Sequence, residues 1–268
     1  CVITLLPERE MRERFADKRF GFHVIPFWDY SQNPYRAERD SIIQKWNLGI
    51  AKKDRGIYQR GKLVEPLRPI VFYIDTCCPR EFVSYIKEGV LAWNIAFEKA
   101  GFKKVLRVKM ADLKTALVEQ QAVIAYDLGE RGVKASYTCH PKTGEILSCR
   151  INIGHGFLED ELWRYLLQCG MVDARIRKNR LHPVVAGEIL RGQVMKAVGA
   201  VLGLKENLAG STAFTIKQVK DVACLKKYGY TGSVMDENPY NYAVQEADRV
   251  PERELMPRVG EYDCLTIE

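Results

Sequence analysis

The sequence predicts an α+β fold, a mixed sheet in its N-terminal half packed on helices supplied mainly by the second half, and three observations carry that reading. The pentad Ile70-Val71-Phe72-Tyr73-Ile74 is wholly apolar, short and rich in β-branched and aromatic residues, as a buried strand is. Strand and helix patterns alternate beyond it, and then the strands run out. Between two β-like runs stands His140-Pro141-Lys142-Thr143-Gly144-Glu145, the composition of a hairpin turn.

Residues 1–65 are rich in Arg, Tyr, Phe and Pro and have weak periodicity. They are expected to form an irregular lead-in with one strand at 21–28, the end of a larger upstream region. The main domain is placed at 66–268. Its first strand, Ile70–Ile74, is stopped by Asp75-Thr76-Cys77-Cys78-Pro79. Phe82, Ile86, Val90, Trp93 and Phe97 then step at helical spacing towards Gly101, a stop signal. Strands follow at 103–110 and 122–127, and a hairpin at 133–139 and 146–153. Helices are expected at 157–169, 184–204 and 215–226, with a mostly irregular tail after Gly232.

Composition limits the function classes. Of 268 residues, 47% are hydrophobic and 28% charged, as in a globular chain able to bury a core. The longest non-polar run, from Ala197 to Leu204, is far short of the ~20 residues that span a bilayer, so no membrane insertion is expected. The net charge of +7 is concentrated in residues 1–68, which hold 14 Lys+Arg against 9 Asp+Glu. Its signs alternate, as in Glu8-Arg9-Glu10 and Arg12-Glu13-Arg14, which describes a solvated surface and not a nucleic-acid-binding stripe.

None of the eight cysteines is spaced as C-x-x-C, so a cysteine metal cluster is not expected. A tight hairpin would set Cys139 and Cys149 almost opposite each other, leaving a bridge and two independent thiols as alternatives. Cys77-Cys78, at the end of a strand, is the least unremarkable nucleophile candidate, yet buried or bridged thiols describe it more simply. His23, His140, His155 and His182 lie far apart in sequence. His155 and Glu159 stand at i and i+4 as a cap or surface contact, and His140 and His182 are expected to be exposed.

From Val194 to Leu204 nearly every side chain is apolar or absent, so this helix is expected to be buried on all sides, with Lys196 the exception. A buried ammonium needs a partner, and Glu206 stands just beyond the turn at Gly203. The stretch Lys196-Ala197-Val198-Gly199-Ala200-Val201-Leu202-Gly203-Leu204-Lys205-Glu206 resembles, in frame, the H-E-x-x-H-x-x-G-x-x-H helix of metzincin-type zinc metalloproteases, in particular a bacterial extracytoplasmic branch. Asn207 and Ser211-Thr212-Ala213 fix that frame. Ser233-Val234-Met235-Asp236 resembles the Met-turn, and Asn241-Tyr242-Ala243-Val244-Gln245 the segment after it. Phe15-Ala16-Asp17-Lys18-Arg19, the strand at Pro69–Asp75, the helix around Trp93-Asn94 and Pro141–Leu147 are similar to the same branch.

The resemblance implies a zincin domain: a mixed twisted sheet with an antiparallel edge strand, packed on a long central helix. It also locates a departure. A catalytic zinc takes about three protein ligands and an open position for water. The ligand positions here carry Lys196, Ala200 and Glu206, the general-base position carries Ala197, and only Gly203 keeps its family identity. The expectation is a pseudoprotease without metal or other cofactor. Its remaining capability would be a cleft for an extended peptide or protein, along the edge strand Val133, Lys134, Ala135, Ser136, Tyr137 and Thr138. In the family fold Lys196 and Glu206 would converge where zinc would have been. The rival readings are an active hydrolase with a relocated metal or nucleophile site, and a purely structural module of a longer polypeptide. An extracytoplasmic location follows from the resemblance. Cys1 reads either as a lipid-bearing residue or, preferably, as the start of an excised fragment.

Overall fold

A two-stranded antiparallel ribbon, β1 (Val24–Asp29) and β2 (Glu38–Ile43), brings the chain into the fold. The computed structural model describes residues 6–8, 10–31, 33, 35–111, 122–177 and 182–268, so the readings of Cys1 lie outside the described residues. After the short helix α1 (Arg55–Gln59) come β3 (Ile70–Ile74), α2 (Arg80–Leu91), α3 (Asn94–Lys99) and β4 (Leu106–Met110). Next are β5 (Ala122–Asp127), β6 (Val133–Cys139), β7 (Ile146–Gly154) and α4 (Phe157–Cys169). The long helix α5 (Pro183–Val201), then α6 (Val222–Tyr228) and α7 (Glu261–Ile267), complete the elements.

Strand order in the main sheet is β4-β3-β5-β7-β6. The first four strands run parallel, and β6 pairs antiparallel with β7 at the sheet's end. This is the mixed sheet with an antiparallel edge strand that the sequence led us to expect. Ile70, Phe72 and Ile74 alternate inward from β3, and Ile151 and Ile153 from β7, onto Ile86, Val90, Val194 and Val198 of the helices. Each such side chain, fully buried, contributes roughly 1.5–3 kcal/mol. A second core, around Tyr165, Ile189, Tyr240 and Leu255, lies beneath α4. Helix α5 threads both cores, which explains its nearly unbroken apolar sequence.

Several elements differ from expectation. The lead-in holds two strands instead of one; Glu38-Arg39-Asp40-Ser41 leaves the outer half of β2 in solvent, hiding the strand pattern that Ile42 and Ile43 complete. The helix expected through Phe97 breaks at Ala92-Trp93, where the fully buried Trp93 donates its indole N–H to the Met195 carbonyl (2.8 Å) and pins the break to α5. The helix expected at 215–226 is a 3-10 turn at Gln218–Lys220 followed by α6, separated by Asp221, whose carboxylate caps α6 through the Cys224 N–H (2.7 Å). The tail after Gly232 is mostly irregular, as expected, but ends in α7.

Candidate functional site

Helix α5 ends in a Schellman motif: the Leu204 N–H donates to the Gly199 carbonyl (3.1 Å) and the Gly203 N–H to Ala200 (3.0 Å). Gly203 takes a positive φ of 99°, and a Cβ there would run into the Gln44 carbonyl. Only glycine makes this turn at little cost. It swings Glu206 back over the helix, so that Glu206 Oε1 lies 3.8 Å from Lys196 Nζ. The lysine also donates to the Asp236 carbonyl (3.1 Å).

The two charges do converge, but not in a buried setting. The Lys196 side chain is 31% exposed and that of Glu206 60%. Helix α5 is therefore not enclosed on all sides: Gln193, Lys196 and Ala200, spaced i, i+3 and i+7, form an open stripe between β6 and the Met-turn. Ala197 is buried at the stripe's margin.

Met235 sits under this floor, 3% exposed. A Cβ on Gly199 would collide with its sulfur and stand 2.6 Å from the Trp93 ring, so the missing side chain is what seats Met235 against α5. The Met-turn is tied on every side. Ser233 Oγ donates to Asp263 (2.5 Å) and accepts from the Met235 N–H (3.1 Å). The other Asp263 oxygen accepts from Val234 (2.7 Å) and Gly260 (2.8 Å). Burial outweighs these bonds and raises the Asp263 carboxyl above the usual carboxylate range. The Asn207 N–H reaches the Met235 carbonyl (3.0 Å), joining the Glu206 loop to the turn.

Edge strand β6 forms the opposite wall. Val133 and Ala135 face the cleft; Lys134, Ser136 and Thr138 alternate away, so the structure brings only part of the expected strand to the site. Tyr137 points inward beneath the cleft, bonded to the Gln44 side chain, and burial pushes its phenol up to about 12. No described strand pairs with the outer edge of β6. The cavity between these walls has a volume of about 670 Å³.

The structure adds a residue that sequence reasoning missed. Residues of the lead-in pair with the loop after α5: the Lys205 N–H donates to Gly21 and the His23 N–H to Gly203 (both 2.7 Å), placing the His23 ring in the cleft. Burial, and then the Lys205 charge, lower its pKa. The contact spans 180 residues, and no local signal announces it.

These residues do not fit a catalytic zinc. Lys196 presents an ammonium, Ala197 and Ala200 offer methyl groups, and Glu206 is a single carboxylate already facing a cation. Among the described residues, no group of three or more His, Cys, Asp and Glu side chains is placed to hold a metal ion.

The remaining candidates disperse. Cys139 and Cys149 are both free thiols. The tight turn pairs Cys139 with Ile146 and Tyr137 with Cys149, so the two cysteines stand staggered along the hairpin and the opposed geometry that a bridge needs is absent. Burial raises the Cys149 thiol to about 12 and Cys78 to about 11, away from nucleophilic behaviour, while Cys77 is exposed. His140, expected to be exposed, is buried: its Nδ1 accepts from the Lys142 and Thr143 N–H groups and organises the hairpin turn. His155 meets Tyr126 (2.8 Å), whereas Glu159 pairs with Arg131 (3.2 Å). His182 is exposed at the N-cap of α5.

A mixed sheet with an antiparallel edge strand, a central helix closed by a glycine turn, and a buried methionine beneath that helix are consistent with a metzincin-type domain. Comparison with known families agrees: residues 178–268 match the Met-zincin family, and residues 1–50 match a domain of unknown function (DUF5117). No curated protein and no solved structure matches the chain. Among the described residues, no helix is long and apolar enough to cross a membrane.

Proposed function

We propose that this domain is a catalytically silent metalloprotease homologue that retains a cleft for an extended peptide or protein segment. The observation that carries the reading is the Lys196 ammonium, held by the Asp236 carbonyl and near Glu206, at a position to which the family resemblance assigns a zinc ligand, with alanines at those it assigns to the general base and a second ligand. Strand addition draws on backbone donors and acceptors, which the loss of a metal leaves intact, and β6 presents such an edge beside the cleft. Lys196 and Lys205 against Glu206 favour a segment with an acidic residue facing α5.

Two measurements test this. Purified protein should contain far less than one zinc per chain and cleave neither casein nor a labelled decapeptide mixture; about one zinc per chain, lost on changing Glu206, would sink the silent reading. The same decapeptides should bind in anisotropy titrations and lose at least about tenfold in affinity in Ala135→Trp, which fills the cleft from an exposed strand position. Binding unaffected by that change removes the cleft from the proposal.

A further inference from the structure

A second cavity, of about 640 Å³, lies where residues 43–59 of the lead-in meet the main domain, and it shares no lining residue with the cleft. Its apolar walls are held in place. The Trp46 indole N–H donates to the Val201 carbonyl (2.9 Å), and the Tyr58 hydroxyl to Ala100 (3.1 Å). The Tyr58 and Phe102 rings pack with centroids 5.4 Å apart. Such fixed walls make a pocket largely pre-formed, and its volume lies in the usual range for small-ligand sites.

The charged lining is one-sided. Arg14, Lys45 and Arg55 line the cavity and no Asp or Glu side chain does. None of the three makes an ion pair within 4 Å among the described residues. Arg14 and Arg55 are exposed and solvated, but Lys45 is half-buried. Burial first, and then the Arg14 charge, lower its pKa, with Glu145 only partly offsetting them. An under-neutralised cation beside an aromatic chamber matches a ligand with one anionic group and an apolar body.

We propose that this cavity binds a small anionic amphiphile, its carboxylate or similar head at Lys45 and Arg14 and its apolar chain against Trp46, Tyr58 and Phe102. The site is distinct from the peptide cleft and independent of it. Dodecanoate, dodecanol and dodecyltrimethylammonium, each below its micelle concentration, are the probes, followed by Trp46 fluorescence and calorimetry. Dodecanoate should bind at least about tenfold more tightly than dodecanol, with the ammonium weakest. Lys45→Met should remove that tenfold preference while leaving dodecanol within about twofold. Leu48→Trp, which narrows the chamber, should weaken both; Ala135→Trp in the cleft should change neither. Unfolding curves establish that each variant is folded. Equal binding of the three probes, no dodecanoate binding, or full dodecanoate affinity in Lys45→Met would overturn the assignment.

Discussion

Two regions meet at α5 and are built to opposite standards. Beneath the helix, the Met-turn is closed: Ser233, Met235 and Asp263 are buried, and the Asp263 oxygens and the Ser233 hydroxyl are all bonded. Above it, Lys196 and Glu206 face solvent across 3.8 Å. Gly199, Trp93 and Asp263 hold the Met-turn through packing and hydrogen bonds that need neither Lys196 nor Glu206, so substitutions in the two regions should differ greatly in cost.

The largest effect is expected at Gly199. Val in its place must displace both the Met235 sulfur and the Trp93 ring, and the ring is anchored by its bond to Met195. Overpacking of that kind, inside the main core, should destabilise by about 4 kcal/mol, well beyond the ~1 kcal/mol that replacing a helical glycine returns. Chemical denaturation that leaves the variant within about 1 kcal/mol of the parent would show that the support is looser than its geometry.

Asp263→Ala comes next. It leaves the Val234 and Gly260 N–H groups and the Ser233 hydroxyl without their acceptor in a buried setting. Each orphaned group costs about 1–3 kcal/mol, less what is recovered by no longer burying a carboxylate, for a net loss of about 3 kcal/mol. The raised Asp263 pKa sets a sign as well. A carboxyl that holds its proton more tightly folded than unfolded favours folding below the unfolded value near 3.9, and that contribution disappears as pH rises through the raised folded value. Parent and variant should therefore differ less at neutral pH than in acid, and the opposite trend in paired unfolding curves would remove Asp263 as the cause.

What the sequence disclosed follows the same division. The periodic segments β3, β5, β6, α4 and α5 were legible because each has its apolar residues at the right period, and the family frame anticipated that Lys196 and Glu206 would approach each other. Exposure was not legible. The run from Val194 to Leu204 shows one polar side chain whether its open stripe faces a wall or a groove, and Ala200, the last residue of the stripe, is small and apolar. The β6–β7 register is set by how tightly the turn closes, which puts Cys139 against Ile146 and Cys149 against Tyr137, and the two cysteines themselves carry no sign of it. His23 reached the cleft through backbone pairing with Gly203, a contact no periodicity encodes. Helix α7, seven residues long, is too short for its pattern to stand out, and its place depends on capping by Asp263.

The smallest effect is expected where the sequence alone argued for a large one. A buried Lys196–Glu206 pair would have cost ~3–5 kcal/mol on loss of one partner. With Glu206 60% exposed, water replaces the lysine at once, and the attraction is that of a surface pair, about 0.2–1 kcal/mol. Glu206→Ala should accordingly cost less than about 1 kcal/mol. Lys196→Met should cost slightly more, because it also gives up the bond to the Asp236 carbonyl. In the double-mutant cycle the coupling should stay under about 1 kcal/mol and shrink further between 0.05 and 0.5 M salt, as exposed charges are screened. A coupling above about 2 kcal/mol, insensitive to salt, would mean that the cleft excludes water around this pair, and the two sides of α5 would then have been built to one standard.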